Sequence, residues 1–184
     1  ALYVDKQDIL KNQLMFTQAG MTFRSFTDEN DFAACYPFAA YQFILLQKVY
    51  ESIRKTGVAG MALARGERSM LDAFQLAAIE ASCNELGVLV PFHCFYPAVE
   101  GFIDTGVKST ISQAADNTSL QPFDSTILRL LFLIRYVDEL PGNVDNLVTL
   151  CVDEIDADKL SLRKDIEESL MRLEGETLIA RNGD

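Results

Sequence analysis

Apolar residues recur at three- and four-residue steps through most of this 184-residue chain. That period belongs to amphipathic helices and predicts a mainly α protein. Residues 5–18 carry Ile9, Leu10, Leu14 and Met15 on one face. A polar stretch follows, in which Thr27 or Asp28 is placed to cap a short helical turn. The clearest helix follows Pro37, with Phe43, Leu46, Val49, Tyr50 and Ile53 in register, Arg54 and Lys55 in its last turn and Gly57 to end it. "GVAGMALARGERS" reads as a loop. A helix from about Ser69 to Asn84 then presents Met70, Ala73, Phe74, Ala77, Ala78 and Ala81, a narrow face suited to close packing. "GVLVPFHCFYP" is an apolar connector, and a further helix is predicted over about 98–114 with Phe102, Ile103, Val107 and Ile111 inward.

The pattern changes at "DNTSLQPF", a polar stretch containing Pro122. This is the best boundary, dividing the chain into 1–120 and 121–184. Beyond it, Asp124 is placed to cap "STILRLLFLIRYVDEL", apolar nearly all round and therefore central. Pro141-Gly142-Asn143 stops that helix and restarts another. Ser161 is the expected cap of the next, whose Leu162, Ile166, Leu170 and Leu173 form one stripe. "TLIA" then leads to Asn182-Gly183, the preferred pair for a tight hairpin turn. Three helices followed by a hairpin is the winged-helix order. The chain stops one residue past that turn and begins without Met, as expected of a piece cut from a longer protein; a frayed tail is the alternative.

One stretch pulls toward another chemistry. "LVTLCVDEIDAD", residues 147–158, has the look of a Walker B strand ending in Asp153-Glu154. Such a strand needs a P-loop, and no Gly in the chain is followed by Lys and Ser or Thr. Leu147, Leu150, Cys151 and Ile155 also fall on a helical face, with Asn143 or Asp145 as cap. The helix is the favoured reading and the strand the competing one. Asp153, Glu154, Asp156 and Asp158 then lie on a solvated acidic end and the turn after it.

Charge narrows the function classes. The net charge is −11, with nine basic and thirteen acidic groups in 1–120 and seven and fourteen in 121–184. A phosphate-driven nucleic-acid binder normally shows a basic face. No apolar run of about 18 residues occurs, so no membrane-spanning segment is predicted. The four cysteines are widely spaced without a CxxC, indicating neither a zinc site nor a disulfide scaffold, and a cytoplasmic setting is expected. His93 is the only histidine and, between Phe92 and Cys94, reads as a packed residue rather than a base.

Against this acidic background, residues 48–68 hold Lys48, Arg54, Lys55, Arg65 and Arg68 against Glu51 and Glu67. Gly66 opens a helix, and Arg68 lies at its positive end, where a cation is unfavourable. Two readings remain open. Arg65 and Arg68 meet an anion such as a nucleotide phosphate beside free helix N–H groups, or they are surface cations offset by partners such as Asp72.

"YPFAAYQFILLQKVYESIRKTG", "LARGERSMLDAFQLAA" and the long run from "LRLLFLIRYVDEL" to "RLEGETLIARNGD" together resemble an internal region of the large P-loop ATPase of bacteriophage-exclusion (BREX) systems, the BrxC/PglY-like family. The resemblance spans about residues 36–184. It implies a fragment lying after an AAA+-like core that carries the Walker A loop: a helical, AAA+ lid-like bundle over 1–120, then a winged-helix-like domain over 121–184 cut within its β wing. "GERSML" resembles the Gly-x-x-Arg lid motif, which implies that Arg68 senses the γ-phosphate, although Glu67 and Ser69 flank it where initiator-type lids often carry small or basic residues. The implied function is a non-catalytic regulatory part of a phage-defence ATPase, coupling nucleotide state to partner or DNA engagement. ATP and Mg²⁺ belong to the parent protein, with no cofactor or metal in this fragment, and the partners are the rest of that ATPase and other defence proteins. The alternative is a DNA-binding winged-helix module, whose reader helix (161–174) holds Arg163, Lys164 and Arg172 against four acids.

Overall fold

Side-chain caps set where four of the described helices begin. The computed structural model describes residues 2–55, 66–81, 86–135 and 137–180, with the side chains of 66–68, 80 and 81 outside the description. The helices are α1 (Leu2–Gln13), α2 (Glu29–Cys35), α3 (Ala40–Lys55), α4 (Gly66–Ala81), α5 (Tyr96–Glu100), α6 (Thr105–Asp116), α7 (Pro122–Ile134), α8 (Val144–Cys151) and α9 (Lys159–Gly175), with a 3-10 turn at Phe92–Phe95 before α5. The protein is mainly α. Among the described residues the β structure is one isolated antiparallel bridge, Val88 to Glu154.

The predicted period is borne out where it was strongest. Leu46, Val49, Tyr50 and Ile53 of α3 are buried, as are Ala73 and Ala77 of α4 and Ile166 and Leu173 of α9. Asp28 caps α2, accepting the Asp31 N–H, and Asn143 caps α8, accepting the Asn146 N–H. Boundaries differ from expectation at several places: α7 ends at Ile134 rather than Leu140 and α8 at Cys151 rather than about Ile155, and four further differences each have a local reason. Helix α1 ends at Gln13, where Lys159 donates to the carbonyls of Asn12 and Gln13. The single helix expected over 98–114 is two, because the Asp104 carboxylate accepts the Gly106 N–H and starts α6 anew. Asp158, three residues before the expected Ser161, caps α9 by accepting from both Leu160 and Ser161. Asp124 is not the N-cap of α7 but lies one turn inside, its carboxylate accepting the Gln121 N–H at 2.8 Å. Of the loop expected over 57–69, residues 57–65 lie outside the described residues, and 66–69 are the first turn of α4.

Helices α7, α8 and α9 pack against one another, and α7 also meets α5, α6 and the 3-10 turn. One apolar cluster runs from Tyr41, Leu45 and Leu46 of α3 through Phe92 and Phe95 to Ile127, Leu130, Leu147, Leu150, Ile166 and Leu173. Phe74 joins α4 to it, stacking on Phe43 at 4.6 Å and meeting Phe38 and Phe95 edge-on at 4.9 and 5.0 Å. A second cluster seats α1 and α2 through Leu10, Phe26, Phe32, Val152 and Ile155.

Asp124 has no exposed surface, and its two oxygens take Nε and Nη2 of Arg172 from α9, both at 2.8 Å. Burial works to raise its pKa. The Arg172 and Gln121 hydrogen bonds outweigh that and hold it below the usual carboxylate value. At its C-terminus α9 closes with a pair of reverse bonds, Leu178 N–H to Leu173 C=O and Thr177 N–H to Glu174 C=O. This is a Schellman closure with Thr177 at φ 58°, a conformation that suits glycine. Leu178 and Ile179 pack on the core rather than forming a strand. The hairpin pair Asn182-Gly183 lies outside the described residues.

Two measurements check these points. Asp124→Ala should destabilise the chain by about 3 kcal/mol in urea unfolding, because it leaves the partly buried Arg172 without its partner and frees the Gln121 N–H. That contribution is complete above an ordinary carboxylate pKa of about 3.9 and is lost as pH falls below it, through the lowered native value. Thr177→Gly should instead stabilise by about 1 kcal/mol, since a β-branched residue is strained at positive φ; an unchanged midpoint would remove the strain argument.

Candidate functional site

The basic stretch 48–68 spans the end of α3 and the start of α4. Lys48, half-buried, donates to Glu139 at 2.5 Å across the fold. Glu139 lies in the connection between α7 and α8, and its pKa is lowered chiefly by that hydrogen bond, with Lys55 adding to the field. Lys48 is therefore a structural ion-pair member rather than part of an open basic patch, which corrects the sequence reading. Arg54 and Lys55 are exposed in the last turn of α3. Gly66 is the first residue of α4, as anticipated. Arg65 and the side chain of Arg68 lie outside the described residues. The start of α4 is tied to α3 by the Tyr50 hydroxyl, which donates to the Ser69 carbonyl at 3.3 Å. Burial first, then Asp72, pushes the Tyr50 pKa up to about 12, so it remains a neutral donor.

The segment resembling Walker B is helix through Cys151. Glu154 then pairs with Val88 in the antiparallel bridge: Leu89 N–H donates to Asp153 C=O at 2.7 Å and Ile155 N–H to Gly87 C=O at 2.9 Å. Gly87 sits at φ 106°, which only glycine adopts readily, and its N–H reaches the Tyr36 hydroxyl. Among the described residues no parallel strand flanks Asp153, and the acids that follow have structural work: Asp156 pairs with Lys6 at 2.9 Å and Asp158 caps α9. Among the described residues no group of three His, Cys, Asp or Glu side chains is placed to hold a metal ion.

His93 sits half-buried in the 3-10 turn with its Nδ1 shielded and unbonded. Burial, with Arg129 nearby and Asp153 opposing, lowers its pKa to about 4, so it is neutral near pH 7. Cys35 and Cys151 are buried, and burial raises both thiols, Cys151 to about 12. Such thiols are poor nucleophiles. Cys83 lies outside the described residues. None of the described helices is long and apolar enough to cross a membrane.

The sequence reading missed Glu139 and Arg129. Glu139 stands 91 positions from Lys48, and no local pattern links them. Arg129 carried a signal that was legible: it is the one cation within the largely apolar sequence of α7, Pro122–Ile134.

No protein-family model matches the chain, and no solved structure matches it.

His93 gives a test of this electrostatic picture. A histidine whose native pKa lies below its unfolded value of about 6.5 binds its proton first in the unfolded state, so stability falls as pH drops from about 6.5 to about 4. Urea midpoints should decline over that window, and His93→Gln should flatten the decline. Its ring resonances should stay flat between about pH 5 and 8.

Proposed function

We propose that the chain is a non-catalytic regulatory module of a P-loop ATPase of the bacteriophage-exclusion type, a lid-like helical part joined to a winged-helix-like part. The observation that carries this reading is the Lys48–Glu139 ion pair. Lys48 lies on the helix that precedes the Gly66–Arg68 turn, and Glu139 lies in the connection that positions α8. The Gly20 N–H donates to the Glu139 carbonyl at 2.8 Å, so the same residue also holds the N-terminal segment. Nucleotide contact at Arg68 would shift the start of α4, and Tyr50 and Lys48 of α3 stand between that helix and the α7–α9 unit. Phosphate contact by an arginine beside helix N–H groups supplies the differential interaction that such coupling requires.

The DNA-binding alternative is disfavoured by the pairing on α9. Arg163 pairs with Asp145 and, at 3.8 Å, with Glu167; Lys164 lies 3.9 Å from Glu168; Arg172 is held by Asp124. A reader helix whose cations are already engaged has little left for phosphates.

In the intact ATPase, Arg68→Ala should slow ATP hydrolysis or weaken nucleotide binding by about tenfold or more, the scale of one charge-assisted phosphate contact. Unchanged kinetics would return Arg68 to a surface role. Salt-dependent binding of duplex DNA by the chain alone would favour the alternative.

A further inference from the structure

Among the described residues, Arg129 is a half-buried cation with no carboxylate within ion-pair distance, in a protein of net charge −11. Its guanidinium lies 5.5 Å from the centre of the Tyr96 ring, and its Nε is shielded from solvent without an acceptor. Glu100 acts on Tyr96 and Asp153 on His93, yet neither carboxylate reaches Arg129. A shielded N–H without an acceptor on a charged group is costly, and cation–π contact with one tyrosine offsets only part of that cost.

Arg129 borders a cavity of about 330 Å³ between α6 and the first turns of α7. Ser125 and Thr126 line it beside Arg129, and Ala114 and Leu120 form its apolar side. Ser125 is only 8% exposed. The positive end of α7 adds to the field, since the nearby Asp124 charge is already matched by Arg172. The cavity is therefore lined by an arginine, two hydroxyl residues and a helix start, with no acid among the lining residues. The size lies at the lower end of small-ligand sites.

We propose that this cleft binds a small phosphate monoester, with Arg129, Ser125 and Thr126 on the phosphate and Ala114 and Leu120 against the organic part. Planar guanidinium matches phosphate oxygens in a way ammonium does not. This site is separate from the Arg68 turn and does not depend on that reading.

The test is a titration of the ¹⁵N-labelled 184-residue chain with inorganic phosphate and with glycerol 3-phosphate, against chloride at equal ionic strength. Saturable shifts of the Arg129 Nε–H and the first-turn amides of α7 are expected from both phosphates and not from chloride. Arg129→Gln should weaken binding by about tenfold or more, as loss of a charge-assisted contact does. Ser125→Ala should weaken it several-fold, and it keeps the test valid should Arg129→Gln fail to fold. Absent or chloride-like shifts, unchanged affinity in folded Arg129→Gln or in Ser125→Ala, or phosphate binding with the monoester excluded would each overturn the proposal.

Discussion

The Asp124–Arg172 pair is the constraint around which the C-terminal helices are arranged. Two charges taken out of water repay the desolvation cost only when geometry is good and remaining lone pairs are satisfied. Here one carboxylate takes two guanidinium bonds and a backbone N–H, all at 2.8 Å. The same group therefore starts α7 and fixes the rotation of α9 about its axis. With that rotation set, Ile166 and Leu173 face the core, and Arg163 falls beside Asp145 of α8. A hydrophobic pair at these positions would bury area without specifying a register.

A second set of bonds attaches the N-terminal segment to this unit. Gln13 donates to the carbonyls of Ile155 and Ala157 at 3.1 and 2.8 Å. Asn146, fully buried, accepts from Thr17 N–H and donates to Thr17 and Pro141 carbonyls. Thr149 donates to Met15 C=O at 2.8 Å. These are side chains satisfying backbone groups in an irregular segment, which would otherwise be costly to bury. They explain why α1 stops at Gln13: Met15 and Thr17 are tied to α8 and cannot also complete helical turns.

Helix existence was legible in the sequence wherever burial follows the 3.6-residue period. Leu147 and Leu150 told helix from strand in the segment that imitates Walker B, because a strand would alternate its faces and these residues share one. The boundaries were less legible because several acids compete for each cap. Asp158 outdoes Ser161 by reaching two N–H groups, and Asp124 is drawn inside its helix by Arg172, 48 residues away. The candidate site was legible only in part, as the start of a helix at Gly66 beside a basic run. That Lys48 is occupied by Glu139 is a tertiary fact, and composition counted it as an available charge.

Pairing, rather than net charge, decides what the surface of this protein can bind. Lys6, Arg24, Lys48, Arg163, Lys164 and Arg172 each meet a carboxylate. Most of these pairs are partly exposed and contribute little stability individually. Their larger effect is to withdraw cations from the pool available to an external anion, while the excess acids repel it. An anion that binds such a protein must find a cation the fold has left unmatched and sheltered from the acidic field. A half-buried guanidinium with no carboxylate partner among the described residues meets the first condition, whereas a lysine on an exposed helix face, with acids a turn away on either side, meets neither.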